Sequence, residues 1–410
     1  MSAQPTLAPA KSKKINLRTP NVMEKVQEQV ESHYRSVVVE RIRANGGILT
    51  VRDTTVRLAK QFGFCYGVER AIDLAYAARK VFSNRRLFIL GEIIHNPNVN
   101  EQIAALGIKN LLGNGKEAEI DELTANDIVI VPAFGVDLIT LKKIQDRGCQ
   151  LVDTTCGDVM SVWKRVRQNA TENVTSIIHG KAEHEETKAT ASRALGLGQG
   201  HYLIVLTLTD TDYVCDYIRH NGNKQDFFKR FEEAYSPGFD PDVHLTAVGV
   251  ANQTTMLRGE TEEVQRRIRA AIIDRDGPEL GSKNFRFFDT ICGATQERQD
   301  ALSQLLKEKM DLLLVVGGYN SSNTSHLAEM GEAELPTYFI RSASKLESVN
   351  RITHFNPHEK REVITENWLP SRPIIIGITA GASCPNNLIE DTILRVYQLR
   401  GVSTNEVLTA

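Results

Sequence analysis

The chain has 410 residues, with 49 Lys+Arg against 51 Asp+Glu, and its formal net charge of −2 leaves no global basic surface for nucleic acid. A hydrophobic share of 41% and a charged share of 24% are ordinary for a globular protein of two or three domains, and no apolar run is long enough to span a membrane or to drive secretion. Six cysteines in this length are too few for a disulfide scaffold and favour a reducing compartment.

Residues 1–21 carry several cations and no acid. They read as a disordered tail, with an organellar transit segment as the alternative. The expected location is therefore cytoplasmic, or the plastid stroma if the segment is a transit peptide. Val26, Val30, Tyr34, Val37 and Val38 recur at helical spacing and predict one helix over 22–44. Short β-branched runs then alternate with amphipathic stretches. The clearest strands are RLFILGEIIHN, DIVIVPAFGV, VTSIIHGKAEH, DLLLVVGGYNSSN and PIIIGITAGAS. Several end in Gly followed by Ser, Thr, His or Asn, the grammar of α/β units with parallel sheets, whose ligands gather beyond the carboxyl ends of the strands. The expected segments are an N-terminal extension over 1–50 and α/β subdomains over 51–156, 157–291 and 292–385, followed by a tail over 386–410. The stretch 193–243 is less regular and reads as an insertion in the middle unit.

Cys65, Cys156 and Cys292 each stand where an apolar stretch meets a glycine turn and a helix: FGFCYGVERAI, LVDTTCGDVMSVW and FFDTICGATQERQDA. The last two share D-T-x-C-G. Their separations are far too long for a zinc knuckle or a redox C-x-x-C, but they suit three similar subdomains that each deliver one thiolate to a shared centre. Three thiolates without a fourth point to an iron–sulfur cluster with one open iron. A helix N-terminus suits a thiolate through its dipole and free N–H groups. Cys149, Cys215 and Cys384 read as small buried apolar residues.

HGKAEHEET is no zincin motif, because Lys188 stands where H-E-x-x-H needs its second histidine. A flexible loop there would present His184 and Glu186 on one side, a binding group and a proton donor; the competing reading is a solvated charged loop. Hydroxyl- and amide-rich loops follow in NQTTM (Thr254, Thr255), GGYNSSNTSH (Ser321, Ser322, Asn323) and ITAGASCPN (Ser383). Glycines before S-S-N allow backbone N–H groups and hydroxyls to wrap a phosphate, and His95 in GEIIHNPNV can cap one. None of these loops is a Walker A, and no dinucleotide fingerprint follows the first strand. A zinc hydrolase, a redox-sensing module and a nicotinamide oxidoreductase are the competing classes.

FCYGVERAI, GEIIHNPNV, VDTTCGDV, the HEE loop, NQTT, FDTICGAT, GGYNSSNTSHLAE and GITAGASCP lie in this order between about residues 60 and 395. Together they resemble the hydroxymethylbutenyl diphosphate reductases, the LytB family, in its longer plant- and cyanobacteria-like form. The resemblance implies a three-lobed α/β fold of similar, mainly parallel subdomains around a central [4Fe–4S] cluster held by Cys65, Cys156 and Cys292. It implies proton delivery by Glu186 with Thr254, and substrate binding by His95, His184, Thr254, Ser321, Ser322, Asn323 and Ser383. The implied reaction is the two-electron reductive dehydroxylation of an allylic diphosphate to isopentenyl and dimethylallyl diphosphate, with ferredoxin or flavodoxin as electron donor and neither nucleic acid nor membrane as partner. One departure is Phe134 in PAFGV, where many bacterial members carry a histidine, so a third diphosphate-binding histidine is not expected.

Overall fold

The computed structural model describes residues 17–410 apart from Asn114 and Leu197, so most of the 1–21 segment lies outside the described residues. The described residues form three sheets. In the first, Leu87–Ile89, Ile108–Asn110, Ile128–Val131 and Gln150–Asp153 all run parallel. The strand that comes second in the chain lies at one edge, next to the first, then the third and the fourth. The second sheet repeats this order with Thr175–His179, Tyr202–Val205, Val248–Asn252 and Phe285–Phe287. Val, Ile and Leu fill these strands because helices cover both faces, as parallel sheets require.

The third sheet has eight strands, and its parallel centre keeps the same order once its start is moved. Leu312–Val316, Thr337–Ile340 and Ile374–Ala380 act as its first three strands. Its fourth is Thr54–Leu58, contributed from the beginning of the chain and parallel to Ile374–Ala380. The hairpin of Ile48–Val51 with Thr54–Leu58 therefore belongs to the third unit, not to a subdomain beginning at residue 51. The unit is completed by two segments more than 250 residues apart, and strand pairing does not respect chain order.

Three further expectations are corrected. The single helix over 22–44 is two helices, Pro20–Tyr34 and Val37–Ala44, because Arg35 and Ser36 are extended and the Ser36 hydroxyl accepts from Val39 N to cap the second. Val26 and Tyr34 pack into the first core and Val38, Val39 and Ile42 into the third, so the N-terminal segment staples two units together. The stretch 193–243 is not all insertion: Tyr202–Val205 is a regular strand of the second sheet, and Leu208–His220 packs against it behind a Thr207–Asp210 capping box. The expected tail at 386–410 begins with the helix Asn386–Leu399, whose Leu388, Ile389, Ile393, Val396 and Tyr397 are buried in the third core. No helix among the described residues is long and apolar enough to cross a membrane.

Tyr397 ties these distant segments, because its buried hydroxyl donates to the Leu49 carbonyl at 2.7 Å. Tyr397→Phe leaves that carbonyl without this donor, and chemical denaturation should register a loss of about 1–2 kcal/mol.

Candidate active site

The equivalent strands of the three sheets carry equivalent loops. Cys156, Cys292 and Cys65 each follow the fourth strand of a unit and stand immediately before the helices Gly157–Thr171, Gly293–Leu305 and Tyr66–Val81. Each cysteine N–H donates to a carbonyl on the loop after the third strand of its own unit: Cys156 to Ala133 at 2.8 Å, Cys292 to Thr254 at 3.1 Å and Cys65 to Ala382 at 3.2 Å. The three side chains line one cavity of ≈110 Å³, together with Glu186, Thr254, Ser321, Asn323 and Ser383. The first-turn N–H groups of Asp158 and Val159 face the Cys156 sulfur and that of Thr295 faces Cys292, whose thiol also meets the Asp158 carboxylate.

The approach is close. A Cβ on Gly67 would fall 2.6 Å from the Cys156 sulfur and 3.8 Å from that of Cys65, so a side chain there would push the Cys156 sulfur aside. Burial pushes the Cys292 thiol up to about 12, with Asp158 adding to the effect, and burial likewise raises Cys156. Three soft donors converging from helix N-termini fit a thiolate-held metal centre. Cys149, Cys215 and Cys384 are buried in three separate hydrophobic cores.

His184 and Glu186 do not sit on a flexible loop. His184 caps the helix Glu185–Ala194 after the first strand of the second unit, and Glu186 lies in its first turn, 3% exposed. Thr254, on the loop after the third strand, donates to Glu186 from both N (to Oε1, 2.6 Å) and Oγ1 (to Oε2, 3.0 Å). Burial outweighs these bonds and raises the Glu186 carboxyl to about 7. The group thus stays protonated to near-neutral pH, as a proton donor requires.

His184 Nδ1 accepts from the Glu186 N–H at 3.2 Å, which places the proton of the neutral ring on Nε2. Burial, first, and then neighbouring His95 hold His184 well below the ordinary histidine range. His95 Nδ1 lies 2.9 Å from Glu92 Oε2. The Nε2 atoms of both histidines are buried without a hydrogen-bond partner in the protein, His95 Nε2 lying 3.9 Å from Glu185 Oε2, and the rings meet edge-on with centroids 5.0 Å apart. With exposed Glu185 they place three ligand-capable atoms within 4.8 Å of one another. Phe134 stacks on His95 at 4.6 Å, so the position expected to lack a third histidine supports one of the other two.

Ser321 caps the helix Ser322–Glu332, which follows the first strand of the third unit. Ser383 Oγ is 3.4 Å from Ser321 Oγ and donates to the His95 carbonyl at 3.2 Å. A Cβ on Gly318 would meet that same carbonyl at 2.3 Å, so the S-S-N loop reaches the His95 loop only through glycine. Asn323 accepts from Ala382 N at 2.9 Å, leaving its buried Nδ2 donor without a partner. A neighbouring cleft of ≈630 Å³ shares His95, Phe134, His184 and Ser322 with the cysteine cavity.

All the anticipated site residues therefore meet at one cavity. Sequence reasoning missed Asn96, which caps Pro97–Ala105 and donates to the Ser383 carbonyl at 2.9 Å, and Asp158 beside Cys292. The D immediately after C-G was the available signal for Asp158. Asn96 gave none beyond its place before a proline.

A family model described as LytB protein matches residues 56–397. The chain belongs to the LytB family. A 4-hydroxy-3-methylbut-2-enyl diphosphate reductase of Thermosynechococcus vestitus is 47% identical over 382 residues, covering 93% of this chain and 94% of that protein. The corresponding reductase of Gloeobacter violaceus is 45% identical, covering 92% and 90%. Among solved structures, an (E)-4-hydroxy-3-methyl-but-2-enyl diphosphate reductase matches with a TM-score of 0.51 at 26% identity, over 84% of this chain and 99% of that one. The Plasmodium falciparum enzyme shares the fold, with a TM-score of 0.61 at 20% identity over 85% and 90%. The three-unit, mainly parallel α/β architecture is thus that of LytB proteins.

Gly67→Ala should leave secondary structure intact by circular dichroism while reducing the iron and sulfide retained after anaerobic reconstitution to under half of the wild-type content, on the order of what a ligand displaced by a methyl group allows.

Proposed function

We propose that the chain reduces 4-hydroxy-3-methylbut-2-enyl diphosphate to isopentenyl and dimethylallyl diphosphate, the allylic alcohol gaining two electrons and two protons and losing water. The observation that carries this reading is a single cavity in which three cysteines face a protonated Glu186 and its partner Thr254. When bound there by Cys65, Cys156 and Cys292, a [4Fe–4S] cluster supplies electrons one at a time and a Lewis-acidic iron with an open position. A donor of the ferredoxin or flavodoxin kind delivers the electrons from outside, in a cytoplasmic or stromal setting.

The rest is the work of side chains. The unpartnered His184 Nε2–H and Asn323 Nδ2–H, with the hydroxyls of Ser321, Ser322 and Ser383, bind diphosphate oxygens. His95, fixed by Glu92 and Phe134, adds its Nε2 to the same set. Helix N-termini at His184 and Ser321 point their free N–H groups at the anion. Thr254 positions the substrate hydroxyl. With Glu186 protonated, its Oε2–H donates to Thr254 Oγ1, which donates on to the departing oxygen so that it leaves as water. Burial keeps bulk solvent from competing for that proton.

Glu186→Gln should keep the wild-type iron and sulfide content yet lose about 10²–10⁴-fold in anaerobic turnover. Turnover near wild type with a full cluster would end the proton-donor assignment. Wild-type turnover should also fall as pH rises through about 7, while the residual rate of the variant stays flat. The same group governs a stability trend. Its folded-state value lies above the ordinary 4.5, so its contribution is full below that pH and is lost as pH rises through about 7. Stability measured from pH 5 to 8 should therefore decline less in Glu186→Gln than in the wild type.

A further inference from the structure

Arg298 is a buried guanidinium, 4% exposed, in the second turn of the helix that follows Cys292. Its side chain crosses to the loop before Cys65, where Nε and Nη2 both donate to the Gly63 carbonyl at 3.2 and 2.6 Å. Nη1 donates back to the Ala294 carbonyl at 2.7 Å. These acceptors are neutral, and among the described residues no carboxylate hydrogen-bonds to the group. A buried cation in such surroundings is costly unless an anion lies close. Burial works against its charge, and Cys65 and Cys292 would offset this ahead of Glu297 and Glu69 once they are thiolates, as metal ligands are. Arg298 stands outside the cavity that holds Glu186 and Thr254, and the proposed chemistry does not use it.

We infer that Arg298 is a positioning residue for the metal centre: its fork ties the Cys65 loop to the Cys292 helix, and its charge sets how readily the bound cluster accepts an electron. The inference rests on reading the three cysteines as cluster ligands. A fixed positive charge beside two coordinating thiolates stabilises the more negative, reduced state relative to the oxidised one. The planar fork also holds the Gly63 carbonyl through two donors, which a lysine ammonium cannot reproduce.

The test compares full-length wild type, Arg298→Lys and Arg298→Gln, each reconstituted anaerobically, by iron and sulfide counts, chelator resistance and redox titration. Arg298→Lys should keep its reduction equilibrium within about threefold of wild type but lose iron to a chelator faster. Arg298→Gln should raise the oxidised-to-reduced ratio at fixed poise about tenfold, a negative shift of about 59 mV for a one-electron couple. A cluster retained by the lysine variant and lost by the glutamine variant likewise supports the charge role. A glutamine variant with wild-type potential, or lysine and glutamine variants that lose the cluster equally, overturns it. Wild-type chain that takes up no iron and sulfide overturns the ligand reading itself, and the role of Arg298 with it.

Discussion

Three backbone hydrogen bonds of one kind hold the site together: in each unit, the cysteine after the fourth strand donates its N–H to a carbonyl on the loop after the third. Such a bond leaves the side chain free while fixing the backbone that aims it. Because the units share one strand order, meeting this constraint three times brings three thiols to one point. The first-strand loops then deliver His95, His184 and the S-S-N segment, and the third-strand loops deliver Phe134, Thr254 and Ser383. The candidate active site is the meeting of three sets of carboxyl-terminal loops, which is where α/β sheets bind ligands in general.

The same convergence sets the electrostatics. Helices of 16, 15 and 13 residues begin beside the cysteines, and helices of 9, 10 and 11 begin beside His95, His184 and Ser321. Their N-terminal dipoles favour anions, and both a thiolate-bound cluster and a diphosphate are anionic. Burial works against that field: it raises the Cys156 and Cys292 thiols and holds the Glu186 carboxyl at about 7 despite two donated hydrogen bonds. The site thus favours negative charge through its helix ends while burial keeps the Glu186 carboxyl protonated to near-neutral pH.

Much of this was legible in the sequence, for local reasons. D-T-x-C-G marks a strand end, a thiol and a helix start within five residues, so Cys156 and Cys292 identified each other, and Cys65 followed from its own glycine and helix. Apolar runs ending in polar loops gave the parallel units. What escaped notice depends on distant partners. The pairing of Thr54–Leu58 with Ile374–Ala380 leaves no mark in either segment. The His184 cap was hidden because histidine is not among the residues that ordinarily start helices. Nothing in the sequence around Arg298 signals its role, because only the folded chain brings Gly63 to it.

We propose that one chain holds one cluster through three cysteines and leaves one iron without a protein thiolate. Mössbauer spectroscopy of the ⁵⁷Fe-labelled protein, purified and kept anaerobic, addresses this directly. The expected spectrum is that of a four-iron cluster in which one site, about a quarter of the signal, has parameters outside the range of thiolate-ligated iron. Four equivalent thiolate-ligated irons, a two-iron centre, or a metal-free chain that still turns over would contradict it.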